Sequence, residues 1–132
     1  MLKKSQRGAV AVEMSIVTLF ILVPLLLGTI DLAIAIYNQQ VLTNASREAA
    51  RAGIARSSKS AQEVVDEYCE NRLISNDAEP TAVPQGGGAF QNDYAVTVTY
   101  EHHFMFAGII GLPATKTLTG RTVMKMEPLP PS

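Results

Sequence analysis

A single cysteine, Cys69, stands among the 132 residues, so no intrachain disulfide can form in any compartment. Two readings of it remain, a small buried hydrophobe on a helix or half of an intermolecular bridge. Excess positive charge is missing as well. Eleven Lys and Arg against 12 Asp and Glu give a net charge of -1, which offers nothing to a phosphate backbone, and nucleic acid is not an expected partner. No Ser-His-Asp, Cys-His or clustered-carboxylate arrangement is visible, so no catalytic residue is expected and the chain does not read as an enzyme. His102 and His103 are the only histidines, and neighbours on a strand point to opposite faces, where they cannot easily share a metal ion. The triplet Gly86-Gly87-Gly88 lacks a following Lys-Ser/Thr and a helix, which removes a phosphate-loop reading. No metal and no other cofactor is expected.

Charge is absent where its absence says most. Met14 to Ile30 form 17 uncharged residues, a helix of about 25 Å, and with Ala9 to Val12 and Leu32 to Ile36 added the helix reaches roughly 42 Å. A carboxylate in lipid costs about 2.5 to 3.5 kcal/mol, so Glu13 and Asp31, at the two ends, each need an interfacial position or a partner. Pro24 and Gly28 fall inside the span; Pro removes a backbone hydrogen bond, and a kink is expected near it. Both are also tolerated in membrane helices without a function. Lys3, Lys4 and Arg7 precede the span and favour a cytoplasmic N-terminus, although Arg47 and Arg51 follow within the range over which the bias is counted. A cleaved signal peptide is the rival, with Ala33-Ile34-Ala35 as a small-x-small site, but the apolar core is too long for it and carries an acid at either end.

The order of a basic leader, Gly8, Ala-Val-Ala-Val-Glu13 and a long apolar helix resembles the processing site of type IV pilin-like precursors. More closely, the chain resembles the TadE-like pseudopilins of the tight-adherence (Flp) pilus system. The resemblance rests on Arg-Gly-Ala-Val-Ala-Val-Glu at 7 to 13, Val-Pro-Leu-Leu-Leu-Gly at 23 to 28 with the acid at Asp31, and Ala-Ser-Arg-Glu-Ala-Ala-Arg-Ala-Gly at 45 to 53. It resumes at 94 to 100 and 117 to 127 and leaves 54 to 93 unmatched. Met14 departs from the pattern, since an aromatic residue usually follows the glutamate in pilins of this system, and this favours a minor over a major pilin role.

The resemblance implies a cut by a membrane prepilin peptidase between Gly8 and Ala9, which would leave Glu13 as the fifth residue of the mature chain. A new ammonium at Ala9 and the Glu13 carboxylate are both costly near lipid, and one can neutralise the other, within a chain or between subunits. The implied partners are the prepilin peptidase, other pilins or pseudopilins, the inner-membrane assembly platform and membrane lipid. The implied function is that of a structural protein needed for assembly of an adhesion pilus, held in the bacterial inner membrane by one pass with its C-terminal domain exported. The alternative is an unprocessed, signal-anchored binding or scaffold module of another envelope machine.

The expected architecture is an α+β membrane protein with a basic leader at 1–8, a transmembrane helix at 9–37, an exported domain at 38–127 and a disordered tail at 128–132. Loss of the leader would change the charge to -4, from 8 bases and 12 acids. The helix is expected to run on from Leu32 through about Arg56. On it Ala45, Ala49 and Ala52 form a narrow face that admits a close neighbour, unless Ala is there only for its helix propensity. Ser60-Ala-Gln-Glu63 matches a capping box and predicts a second, amphipathic helix with Ala61, Val64, Val65, Tyr68, Cys69 and Leu73 on one stripe. Glu63, Asp66, Glu67 and Glu70 then read as its solvated side. Asn76 to Asp93 reads as loop. Tyr94, Val96, Val98 and Tyr100 alternate as a half-buried strand, with Thr115 to Glu127 as its antiparallel partner. The connection from His102 to Pro113 is unusually apolar, and is expected to hold a short helix or to lie against the membrane or another subunit.

Overall fold

A computed structural model describes residues 4–74, 78–86 and 93–126. The first three residues, parts of the expected loop at 76–77 and 87–92, and Glu127 with the tail at 128–132 lie outside the described residues.

One helix dominates. α1 (Lys4–Val17), a π turn (Thr18–Leu22) and α2 (Val23–Ile54) follow one another without a break, and from Gln6 to Ile54 they make a single 49-residue rod. At 1.5 Å per residue this is about 73 Å, far longer than the apolar stretch requires. The π turn lies where a kink is expected. Pro24 has no N–H and its ring crowds the carbonyl four residues back, Phe20; the helix answers by widening there, so that the Val23 N–H reaches the Thr18 carbonyl.

Up to Tyr37 the rod is largely bare. Val10, Met14, Ile16, Leu19, Phe20, Leu25 and their neighbours are exposed on every side of it, whereas the core helix of a water-soluble protein would be covered by its own chain. Two of its hydroxyls are satisfied within the helix: Ser15 Oγ donates to the Ala11 carbonyl at 2.8 Å and Thr29 Oγ1 to the Leu25 carbonyl at 2.7 Å. Length and composition make this the one candidate membrane span among the described residues.

Beyond Asp31 the same helix becomes the spine of a small α+β body. α3 (Ala61–Cys69) starts at the expected capping box, with Ser60 Oγ accepting from the Glu63 N–H and the Glu63 carboxylate accepting from the Ser60 N–H. Val64, Val65, Cys69 and Leu73 are buried against α2. A three-stranded antiparallel sheet in the order β1 (Thr81–Gly86), β2 (Asp93–His103), β3 (Thr115–Lys125) lies across the helix. β2 turns Val96, Val98 and Tyr100 inward, into one core with Leu42, Ala45 and Ala49, and His102 is buried on the same face beside Asn38. Gly120 lets β3 come close, for a Cβ there would lie 2.7 Å from the Leu42 carbonyl oxygen.

The structure corrects one expectation and shifts two. Thr81–Gly86, inside the stretch read as loop, is an edge strand, with Pro84 opposite Val96. Proline is admissible at an edge, where no second neighbour asks for its missing N–H. The side chain of Gln62 on α3 helps hold the segment, donating to the Pro80 carbonyl at 2.8 Å and accepting from the Ala82 N–H at 2.8 Å. β2 runs on through His103, and the short helix of the apolar connection is a 3-10 turn at Ala107–Ile110.

Candidate functional site

The N-terminal motif sits on α1. Gly8, Ala9 and Glu13 are all helical and exposed, and outside its own turn of helix nothing lies within 4 Å of where a Gly8 Cβ would stand. Ala9 and Glu13 are four residues apart and therefore share a face. Among the described residues the Glu13 carboxylate has neither a hydrogen bond nor an ion pair. A backbone this bare is also accessible to another protein.

At the far end of the apolar stretch the second acid is differently placed. Asp31 is 4% exposed, and its carboxylate accepts the Phe106 N–H at 2.7 Å and the Met105 N–H at 3.3 Å. Both donors belong to the connection between β2 and β3, so Asp31 has found a partner in its own chain. Pro24 is half-buried beside the π turn, and Gly28 faces a groove of about 460 Å³ that Asp31, Leu32, Phe104, Ala107, Leu112, Pro113, Thr115 and Lys116 complete.

Seven residues on, Asn38 is fully buried. Its amide donates to the Ile74 carbonyl at 2.8 Å and lies 3.2 Å from His102 Nδ1, while its carbonyl oxygen accepts the Ile74 N–H at 3.0 Å. This pattern assigns the tautomer: His102 Nδ1 accepts, so Nε2 carries the proton, and Nε2 has no hydrogen-bond partner among the described residues. Burial holds the His102 pKa below its ordinary value of 6.5; Asp31 pulls the other way and His103 adds to the depression. The His102 ring meets Phe104 edge-on at 4.9 Å. Eight residues further, Ser46 Oγ lies 2.6 Å from Thr122 Oγ1 on β3. Asp31, Asn38 and Ser46 thus recur at helical spacing and tie one face of α2 to the connection, to the segment after α3 and to the sheet.

Of the alanine face, Ala45 and Ala49 are fully buried under the sheet and Ala52 is partly buried; Ala50, absent from the expected set, is fully buried too. The small side chains serve packing inside this chain. Cys69 is buried, and desolvation pushes its thiol up to about 11, which leaves it without appreciable thiolate at neutral pH. Among the described residues no three His, Cys, Asp or Glu gather where they could hold a metal. Asn38 was not picked out from sequence. The signal for it was a run of polar residues at intervals of seven and eight on a face otherwise apolar or alanine.

No curated protein and no solved structure shows significant similarity to the chain. A family model does match, over residues 8–51, and the matched segment begins at Gly8 and takes in Ala9, Glu13, Pro24, Gly28, Asp31, Ala45 and Ala49. Over this segment, which runs along the rod from α1 into the body-forming half of α2, the chain is similar to the TadE-like protein family, the one that its N-terminal motifs resemble.

Proposed function

We propose that this is a pilin-like structural protein that a prepilin peptidase cuts between Gly8 and Ala9 and that is needed to assemble a tight-adherence (Flp) pilus. The observation that carries the reading is the unbroken helix from Gln6 to Ile54: bare and apolar at one end, TadE-like over residues 8–51, and grown into an α+β body at the other. Such a molecule is anchored by one half of a helix and presents a folded domain on the other half. It acts as a structural part and not as an enzyme.

In this reading the N-terminus is cytoplasmic, the body lies on the exported side of the bacterial inner membrane, and the partners are the peptidase, other pilins or pseudopilins, the assembly platform and lipid. The basic residues Lys3, Lys4 and Arg7 favour that orientation. Burial of Asp31 and Ala35 within the body speaks against removal of everything before Ile36 by a signal peptidase, because that cut would take away the carboxylate that holds residues 105 and 106.

The test is the N-terminal mass of the membrane-extracted protein from cells with and without an active prepilin peptidase. A chain starting at Ala9 only when the peptidase is active supports the proposal. One that keeps Met1 in both, or starts after Ala35, refutes it.

A further inference from the structure

The connection between β2 and β3 sits beside the end of the bare helix. Residues 104–114 turn through Ala107–Ile110 and are held at Asp31 by the Met105 and Phe106 N–H groups. Gly28 and Leu32 form one wall of the groove, and Phe104, Ala107, Leu112 and Pro113 form the other. On the connection, Met105 is 63% exposed, Ile109 66% and Leu112 59%, three large apolar side chains within one short segment. Scattered surface hydrophobes need no explanation, but a contiguous group marks a contact.

Position along the rod says what the contact is. From Ala9 to Ile30 the helix rises roughly 33 Å, about the thickness of a hydrocarbon core, which puts Asp31 at the outer boundary of a bilayer. The connection is bonded to that residue. Its apolar side chains therefore stand at the level where acyl chains meet headgroups, across the groove from Leu32 and one to two helical turns beyond the exposed Leu25, Leu26 and Ile30. The charge of Asp31 is turned inward onto backbone donors, while Lys116 lines the groove and offers a cation to a lipid phosphate.

We infer that the β2–β3 connection is a second membrane contact, with Met105, Ile109 and Leu112 seated among phospholipids of the outer-side leaflet and an acyl chain lying in the groove against Gly28. This rests on the reading of the N-terminal helix as a membrane span. The body then stands on the bilayer at two points and cannot swing freely about its helix.

The experiment uses the full chain in vesicles of phosphatidylcholine and phosphatidylglycerol at low protein density. Variants Ile109→Cys, Phe20→Cys and Ser58→Cys are labelled in the folded state with a polarity-sensitive dye; buried Cys69 is protected, and the unsubstituted chain is the blank. Lipids bearing a quencher near the headgroup or deep in the acyl chain report depth. The expected result is loss of emission at position 109 with the shallow quencher and at position 20 with the deep one, and no loss at position 58, far along α2 and past its end. Quenching at 20 without quenching at 109 overturns the inference and leaves the span standing. No quenching at 20 overturns both. A blue shift at 109 that grows with protein density and is not quenched by lipid assigns the face to a second copy of the chain and also overturns the inference.

Discussion

Replacing Asn38 by alanine is expected to lower the stability of the body by about 2 to 4 kcal/mol, because it removes a fully buried side chain that serves three groups at once. The Ile74 N–H and carbonyl lose their partners, but Ile74 is 45% exposed, so water can replace much of what is lost and the cost there is near the low end, roughly 1 kcal/mol. His102 Nδ1 is different. It is enclosed, and an unmet buried acceptor costs about 1 to 3 kcal/mol. For a body of this size each kcal/mol corresponds to about 4 to 8 °C in the midpoint of thermal unfolding, so a drop of at least about 8 °C is expected in detergent micelles by circular dichroism. Asn44→Ala is the control, being the same substitution on an exposed face of the same helix, and it should stay within about 0.5 kcal/mol. Equal midpoints for the two variants would refute the view that Asn38 pins the segment after α3 and the end of β2 to the helix.

Gly120→Ala would push a methyl group into the Leu42 and Thr43 backbone, at 2.7 to 2.9 Å, and should cost about 1 to 3 kcal/mol in chemical denaturation; an unchanged midpoint would mean that β3 can shift away freely. Stability should fall with acid through His102: its folded pKa lies below 6.5, so the unfolded chain binds the proton more readily, and the contribution is full above pH 6.5 and lost as pH drops from there through the folded value. Unfolding curves taken at descending pH check this, and His102→Gln, which cannot titrate, should flatten that part of the profile. Ser60→Ala should cost about 1 kcal/mol by loss of the α3 cap, with native-state hydrogen exchange rising first at Glu63, whose N–H the Ser60 hydroxyl accepts.

What could be read along the chain was what local rules govern. A run of 17 uncharged residues announces a membrane-capable helix from local sequence alone, since a stretch without charge needs neither an interfacial position nor a partner to enter lipid. The capping box at Ser60 and Glu63 is complete within four residues, and the alternation of Tyr94 to Tyr100 already states which face of β2 is buried. The short edge strand β1 was illegible for the opposite reason: Pro84 and the glycines after it have turn character locally, and pairing with β2 and the Gln62 side chain overrides it.

The amino-acid order by itself thus determined the membrane-capable helix, its continuation beyond the apolar stretch, the start of α3 and the sense of β2, along with the motif at Gly8 to Glu13 that resembles TadE-like proteins. Only the tertiary structure decided the fate of the polar residues on the inner face of α2. Asp31 is bound 74 and 75 residues away, Asn38 reaches 36 residues to Ile74 and 64 to His102, and Ser46 reaches 76 to Thr122. A helix sets the direction in which such a side chain points, but whether it meets lipid, water or a backbone donor depends on what the rest of the chain brings to it.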